Sequence, residues 1–381
     1  MRPKTLTVLL IVLMVMAAAT VATLYLNAPE RREGRLGKCL FAGLPVNNIA
    51  RINIEGPHHE VSLVKKKDLW VVEDRFDYPA DFSLIVDLAR KLKDVNVGQQ
   101  FTGSEDVLGR LCLKDPNDKN APADEKAIRL IMKDETGKEL ARILFGKKRT
   151  PASGSVSSPG QYVRLGGSSM VYLINSSFPS LNKKQAEWLD HTLTDVNRDD
   201  VKKVLCVRSK GKKKILFGLE RPNRGTDFKL VGFHSTKKAK KHILNRVAGA
   251  LSYLRMEDVL DPSADPASLG LDLDTCLEYY LFNGIIYRAY TCKKCPEADR
   301  CYLKLEVDYQ EPPSGEDTGE KGDSNESNKK EKEGKGDGAG KSPEEWKLEA
   351  KRIDERLSPW IYVISKGRYD SFIMDQNKFF K

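Results

Sequence analysis

The chain has 381 residues, of which 40% are hydrophobic and 31% are charged, and its formal net charge is +10. It contains one apolar run of membrane-spanning length, so the sequence excludes a multi-spanning membrane protein. The remaining residues are sufficient for two domains of ordinary size.

The apolar run comprises residues 5–26, TLTVLLIVLMVMAAATVATLYL, directly after Met1-Arg2-Pro3-Lys4. With a rise of about 1.5 Å per residue, a helix of this length crosses a hydrocarbon core of about 30 Å. Ala17-Ala18-Ala19 also offers a signal-peptidase site, but the run continues to Leu26, which favours an uncleaved anchor. We therefore predict a membrane anchor at 1–28 and a juxtamembrane linker at 29–45.

Two features of the sequence around the anchor favour opposite orientations in the membrane. Arg31, Arg32, Arg35 and Lys38 follow the run, and a count of basic residues alone would keep the body in the cytoplasm. In contrast, a short basic tail before an apolar stretch is typical of an export signal, and long domains translocate largely regardless of charge. We expect a single-pass protein of the cell (inner) membrane with an extracytoplasmic, periplasmic body.

Residues 46–195 carry the pattern of a first α+β module. Three extended stretches fall within 47–72, and residues 80–95 have apolar side chains at helical spacing. Further strands are predicted at 127–133, 139–145, 161–165 and 170–174. A closing helix is predicted at 176–192.

Residues 196–381 repeat the same order of elements, which predicts a duplicated module. Strands are predicted at 199–207, 213–220, 227–233, 275–282, 285–291, 301–309 and 360–366, with a helix at 237–255. Asn283-Gly284 is a strong hairpin signal. Residues 310–345 are rich in Gly, Ser, Glu and Lys, so we predict a disordered insertion there. The predicted fold is thus α+β, with an N-terminal transmembrane helix and two tandem, duplicated antiparallel-sheet-plus-helix modules.

Three of the seven cysteines, Cys292, Cys295 and Cys301, lie together in CKKCPEADRC. Cys-x-x-Cys is half of a common zinc pattern, so these thiols are weak candidates for metal ligands, although no second pair is present. A disulfide is equally compatible with the spacing, and redox catalysis is a third reading. In an exported body we expect Cys292 or Cys295 to pair with Cys301.

Lysine clusters lie at 210–214 and 237–241, and three readings of them are open. The clusters would attract anionic lipid headgroups, bind nucleic acid, or simply form a solvated face that keeps the protein soluble. Nucleic acid is disfavoured because the chain has no recognisable binding motif.

The only candidates for catalysis are His191 beside Asp190 and the His58-His59 pair. No nucleophile motif accompanies them, and no glycine-rich phosphate loop is present. The sequence therefore predicts neither an enzyme nor a cofactor.

Several tracts resemble the family called domain of unknown function 4340. They are LPVNNIARINIEG, DLWVVEDRFDYPAD, GQYVRLGGSSMVYLINSSF and the turn Gly270-Leu271-Asp272. A second copy of this turn begins at Cys112-Leu113, where Cys112 stands in place of the glycine. The resemblance implies a membrane-tethered protein, often encoded beside gliding-type ABC transporter components, and no catalytic residues. We expect an accessory or binding protein whose partner is a transporter or another envelope component. The alternatives are a structural envelope protein that binds anionic lipid or polymer and, less favoured, a hydrolase.

Overall fold

The computed structural model describes residues 37–149, 160–232, 239–296, 299–312, 341–372 and 375–380. The predicted anchor at 5–26 lies outside these ranges, and no helix within them is long and apolar enough to cross a membrane. The chain divides into two compact units. The first comprises Met1–Glu60 with Leu84–Asn182, and the second comprises Val61–Ser83 with Lys183–Lys381.

The described residues form nineteen strands and five helices. The strands are β1 Arg51–Glu55, β2 Glu60–Lys66, β3 Leu69–Val72, β4 Tyr78–Pro79, β5 Val97–Thr102, β6 Ile128–Lys133, β7 Glu139–Arg149, β8 Gly160–Leu165, β9 Met170–Ile174, β10 Thr192–Thr194, β11 Val201–Arg208, β12 Lys214–Glu220, β13 Lys229–Val231, β14 Leu254–Arg255, β15 Asp258–Val259, β16 Thr275–Leu281, β17 Ile285–Thr291, β18 Arg300–Tyr309 and β19 Ile361–Ser365. The helices are α1 Phe82–Lys93, α2 Glu105–Arg110, α3 Lys241–Ala248, α4 Pro343–Leu357 and α5 Lys366–Tyr369.

In the first unit, six strands are ordered β1-β6-β7-β8-β9-β5. Every pairing among them is antiparallel, as in Ile54 opposite Leu130 between β1 and β6. Helix α2 and the residues after it cover part of one sheet face, where Leu108 and Leu113 pack with Leu144 and Val171. Burial of these side chains supplies the main favourable term of folding.

In the second unit, eight strands are ordered β13-β12-β11-β16-β17-β18-β19-β15, again with antiparallel pairings. The segment Val61–Ser83 adds the antiparallel run β2-β3-β4. It is bonded to residues that follow β9: the Asp81 N–H donates to the Trp188 carbonyl at 2.8 Å, and the Asp190 N–H donates to the Pro79 carbonyl at 2.9 Å. The coarse prediction of an α+β protein with mostly antiparallel sheets is confirmed.

The helix predicted at 80–95 is present as α1, which buries Ile85, Leu88 and Leu92 at helical spacing. The helix predicted at 176–192 is wrong. That stretch forms two short 3-10 turns, Pro179–Asn182 and Gln185–Trp188, and then strand β10. Leu181 and Trp188, two of the apolar residues of this stretch, are buried. The stretch does not form a continuous helix because it pairs in extended conformation with residues 79–81.

Two other predicted boundaries also differ. The helix predicted at 237–255 is described only from Lys241 to Ala248, and Gly249 ends it before strand β14 begins. The disorder predicted for 310–345 extends too far, because Ser342 caps α4 through a reciprocal pair of hydrogen bonds with Glu345. Residues 313–340 lie outside the described ranges.

The predicted hairpin between β16 and β17 is present. Gly284 has a φ of +90°, a conformation that favours glycine. A Cβ there would lie 2.5 Å from the Gln310 carbonyl oxygen, so the close approach of the backbone also requires glycine.

Candidate functional site

Strand topology brings four segments together at one end of the second unit's sheet. They are the β11–β12 turn at 208–214, the loop at 270–274, the β17–β18 turn at 292–300, of which 297–298 lie outside the described residues, and the segment at 365–370. Backbone contacts connect them: the Ser209 N–H donates to the Asp274 carbonyl at 2.7 Å, and the Lys293 N–H donates to the Gly270 carbonyl at 3.3 Å. The Tyr369 hydroxyl donates to the Cys292 carbonyl at 3.0 Å. We call these four segments the basic end.

The basic end carries a surplus of positive charge. Its four segments contain ten basic and five acidic residues, so their formal net charge of +5 is half of the +10 of the whole chain. Three basic residues are paired locally: Lys210 with Asp274 at 3.7 Å, Lys293 with Asp272 at 3.4 Å, and Lys366 with Asp370.

Other basic side chains at this end are exposed. They make no ion pair within the described residues, and they are Arg208, Lys212, Lys214 and Lys294. This leaves positive charge available to an external anion.

A disulfide lies in the β17–β18 turn, and its first cysteine directly follows Lys293 and Lys294. Cys295 and Cys301 are bonded, with their Cα atoms 4.5 Å apart. This is one of the two predicted pairings, and the alternative, Cys292 with Cys301, does not form. Cys292 stays a free, buried thiol whose sulfur accepts the Tyr302 N–H at 3.4 Å. Two of the three thiols considered as zinc ligands are thus used in the disulfide. The described residues contain no group of three or more His, Cys, Asp and Glu side chains that could hold a metal ion.

A buried carboxylate lies on the sheet beside this end. Glu278, with a side chain only 4% exposed, accepts hydrogen bonds from Tyr280 Oη at 2.8 Å, Lys213 Nζ at 3.1 Å and Arg288 Nε at 3.4 Å. Burial acts to raise the pKa of Glu278, but the hydrogen bonds and the two cations outweigh it and hold the pKa below its usual value. Burial and the hydrogen bond to Glu278 raise the pKa of Tyr280. The Glu278 carboxylate is therefore ionised at neutral pH, which does not suit it to general acid catalysis.

The two histidine candidates are used in backbone hydrogen bonds. The His191 Nδ1 atom lies 2.8 Å from the Met256 carbonyl oxygen, and the Asp190 carboxylate accepts the Thr192 N–H at 3.0 Å. In the other candidate pair, His59 Nε2 lies 2.7 Å from the Leu181 carbonyl oxygen, and His58 is exposed. None of these bonds joins Asp190 to His191, so these two neighbours in sequence do not form a carboxylate–imidazole pair.

Two other thiols of the second unit lie in the sheet. Burial raises the pKa of Cys206 to about 12 and that of Cys276 to about 11. Since the thiolate is the reactive form, both side chains are inert at neutral pH. They act as small buried hydrophobic residues.

Comparison with known families gives one result. The model of a family described as Domain of unknown function (DUF4340) matches residues 70–273. That range covers the β11–β12 turn and most of the 270–274 loop, whereas the disulfide turn lies beyond it. A search of curated proteins and a search of solved structures each gave no match.

Proposed function

The chain belongs to the family of domain of unknown function DUF4340, whose model spans just over half of it, and we propose that it is a membrane-anchored accessory protein with an extracytoplasmic body. The observation that carries this proposal is the Cys295–Cys301 disulfide. Disulfides persist in oxidising compartments and are rare in the cytosol. The apolar run at 5–26 supplies the anchor in this proposal, with residues 29–45 as the linker.

The role proposed for the body is binding rather than catalysis. Two of its three candidate histidines, His59 and His191, are bonded to backbone carbonyls, and its buried thiols Cys206 and Cys276 have raised pKa values. The partner that the family resemblance implies is a component of an ABC-type transporter or another envelope protein. An accessory protein of this kind presents surfaces to its partner and contributes no reacting group.

We also propose that the body arose by duplication, with modules at 46–195 and 196–381. Six strands support this, because β1-β6-β7-β8-β9-β5 and β11-β16-β17-β18-β19-β15 follow the same order.

The test of the proposed function is topological. The full chain is fused at its carboxy terminus to alkaline phosphatase, which is active only after export, and in parallel to a reporter that is active only in the cytoplasm. We expect phosphatase activity in the membrane fraction. We also expect Cys295 and Cys301 to resist alkylation in intact cells until a reductant is added. An active cytoplasmic reporter with freely alkylated Cys295 would overturn the proposal.

The accessory role has its own measurement. The tagged full chain is purified from membranes in mild detergent, and its mass is compared with that of the chain alone. We expect a larger complex that contains a transporter or envelope component, identified by mass spectrometry. Recovery of the free chain alone, after crosslinking in the membrane, would contradict an accessory role.

A further inference from the structure

We propose that the basic end of the second unit is a binding surface for anionic lipid headgroups, through which the body docks on the bilayer that holds its anchor. This inference rests on the proposed membrane anchoring. It assigns a ligand class to a set of residues that come from four separate parts of the chain.

The first argument is charge complementarity. Arg208, Lys212, Lys214 and Lys294 are exposed and have no ion pair within the described residues. They project from two different turns, which the loop at 270–274 connects through backbone hydrogen bonds. Several separated cations match an extended anionic surface, since each basic residue near such a surface strengthens binding about fivefold.

The second argument is the shape and charge of the neighbouring cavity. An open cavity of about 420 Å³ lies beside these turns. Three carboxylates line it, those of Asp265, Asp272 and Asp274, against a single cation, Lys293, which is paired with Asp272. Its carboxylates disfavour a small anion inside the cavity, whereas the unpaired cations lie on the turns. The arrangement therefore favours a surface of headgroups over an enclosed site for free phosphate.

The third argument is that the turns are held in place. The disulfide fixes the β17–β18 turn, and the Tyr369 hydroxyl bonds to the carbonyls of Cys292 and Lys293 at 3.0 and 3.3 Å. The Lys213 side chain anchors the other turn to the buried Glu278. A surface that is rigid before binding loses less conformational entropy when it binds.

The experiment uses the full chain in nanodiscs of phosphatidylcholine alone or with 30% phosphatidylglycerol. Lysines are acetylated by a water-soluble reagent, and the rate at each lysine is measured by mass spectrometry. We expect the rates at Lys212, Lys214 and Lys294 to fall at least fivefold in the anionic discs and to recover in 0.5 M salt, because exposed charges are screened. The exposed lysines Lys119 and Lys229 should react equally in both discs.

A variant tests whether the cations act together. In Lys212→Gln with Lys214→Gln, the protection of Lys294 should be lost in anionic discs. The matched control, Lys119→Gln with Lys229→Gln, removes the same charge elsewhere and should keep that protection. Equal acetylation of Lys294 in both lipids would overturn the proposal, and so would equal protection by inorganic phosphate in phosphatidylcholine discs.

The outcomes also separate this inference from the proposed function. Incorporation into discs without protection overturns the lipid surface and leaves the anchor standing. If the chain does not enter discs, the anchor fails, and the same footprint is measured with added vesicles of the two compositions. Protection by anionic vesicles would then support the lipid surface on its own, and its absence would overturn it.

Discussion

Cys112 and Gly270 share an unusual backbone conformation, with φ values of +53° and +72°, and each directly precedes a buried leucine. For a residue with a Cβ, this left-handed region costs roughly 1–2 kcal/mol. Gly270 avoids that cost and Cys112 does not. The pairing agrees with the sequence alignment of the two turns, in which Cys112 occupies the place of a glycine.

We predict from this relationship that Cys112→Gly stabilises the first unit by up to about 1 kcal/mol. Cys112→Ala keeps the Cβ and serves as the control, with little change. In the second unit, Gly270→Ala should destabilise by about 1 kcal/mol, because its Cβ would contact nothing within 4 Å and only backbone strain is added. Urea unfolding measures all three, and equal stability of the Gly and Ala variants at 112 would contradict the prediction.

The buried carboxylate of Glu278 should make stability depend on pH. Its pKa is lower in the folded state, so the folded protein gains stability above the usual glutamate pKa and loses it as the pH falls through the folded value. We expect Glu278→Gln to cost about 1–3 kcal/mol at pH 7, because charge-assisted hydrogen bonds from Tyr280 and Lys213 are weakened.

Thermal unfolding between pH 3 and pH 8 measures this effect. The difference between the wild type and Glu278→Gln should shrink as the solution becomes more acidic. Glu135→Gln, in an exposed turn, is the control and should have little effect at any pH. A difference that stays constant across the range would mean that Glu278 is not charged in the folded protein.

The hairpin between β16 and β17 was accessible from the sequence, whereas its polar contacts were not. Alternating apolar residues and the Asn283-Gly284 turn predicted the hairpin between β16 and β17. Glu278 stands within the apolar run of β16, and its partner Arg288 lies directly opposite on β17. Counting residues outward from the turn would have paired them. The third partner of the carboxylate, Lys213, comes from the β11–β12 turn, which is remote in sequence.

Other elements were missed for local reasons. Strand β5, VGQQFT, is too polar to signal a strand, and it forms because β9 pairs with it. The predicted helix at 176–192 failed because long-range backbone bonds to residues 79–81 override the apolar spacing. Helix α4 follows a glycine- and lysine-rich tract, which concealed the capping signal at Ser342 and Glu345. Each of these elements thus depends on a pairing that is remote in sequence, or on a capping signal beside a tract whose composition suggests disorder.

The buried guanidinium of Arg129 should contribute strongly to the first unit. Its side chain is 7% exposed and pairs with Glu55 and with Asp115 at 2.8 Å. Arg129→Met leaves the partly buried Glu55 without this cation, so we expect a loss of about 3 kcal/mol. Arg142→Met breaks the exposed pair with Glu139 and should cost at most about 1 kcal/mol. Similar losses for the two variants in urea unfolding would contradict the prediction.

The disulfide should stabilise the second unit because it closes a short loop and so lowers the conformational entropy of the unfolded chain. Cys295 and Cys301 are six residues apart, and a loop of that size corresponds to about 2 kcal/mol in the chain-entropy account. We expect a reductant, or the double variant Cys295→Ser with Cys301→Ser, to lower the free energy of unfolding by that amount. The double variant should then be insensitive to reductant, which is its internal control. Thiol titration with reductant should report two additional free thiols. If the free energy of unfolding is then the same with and without reductant, the disulfide does not stabilise the second unit.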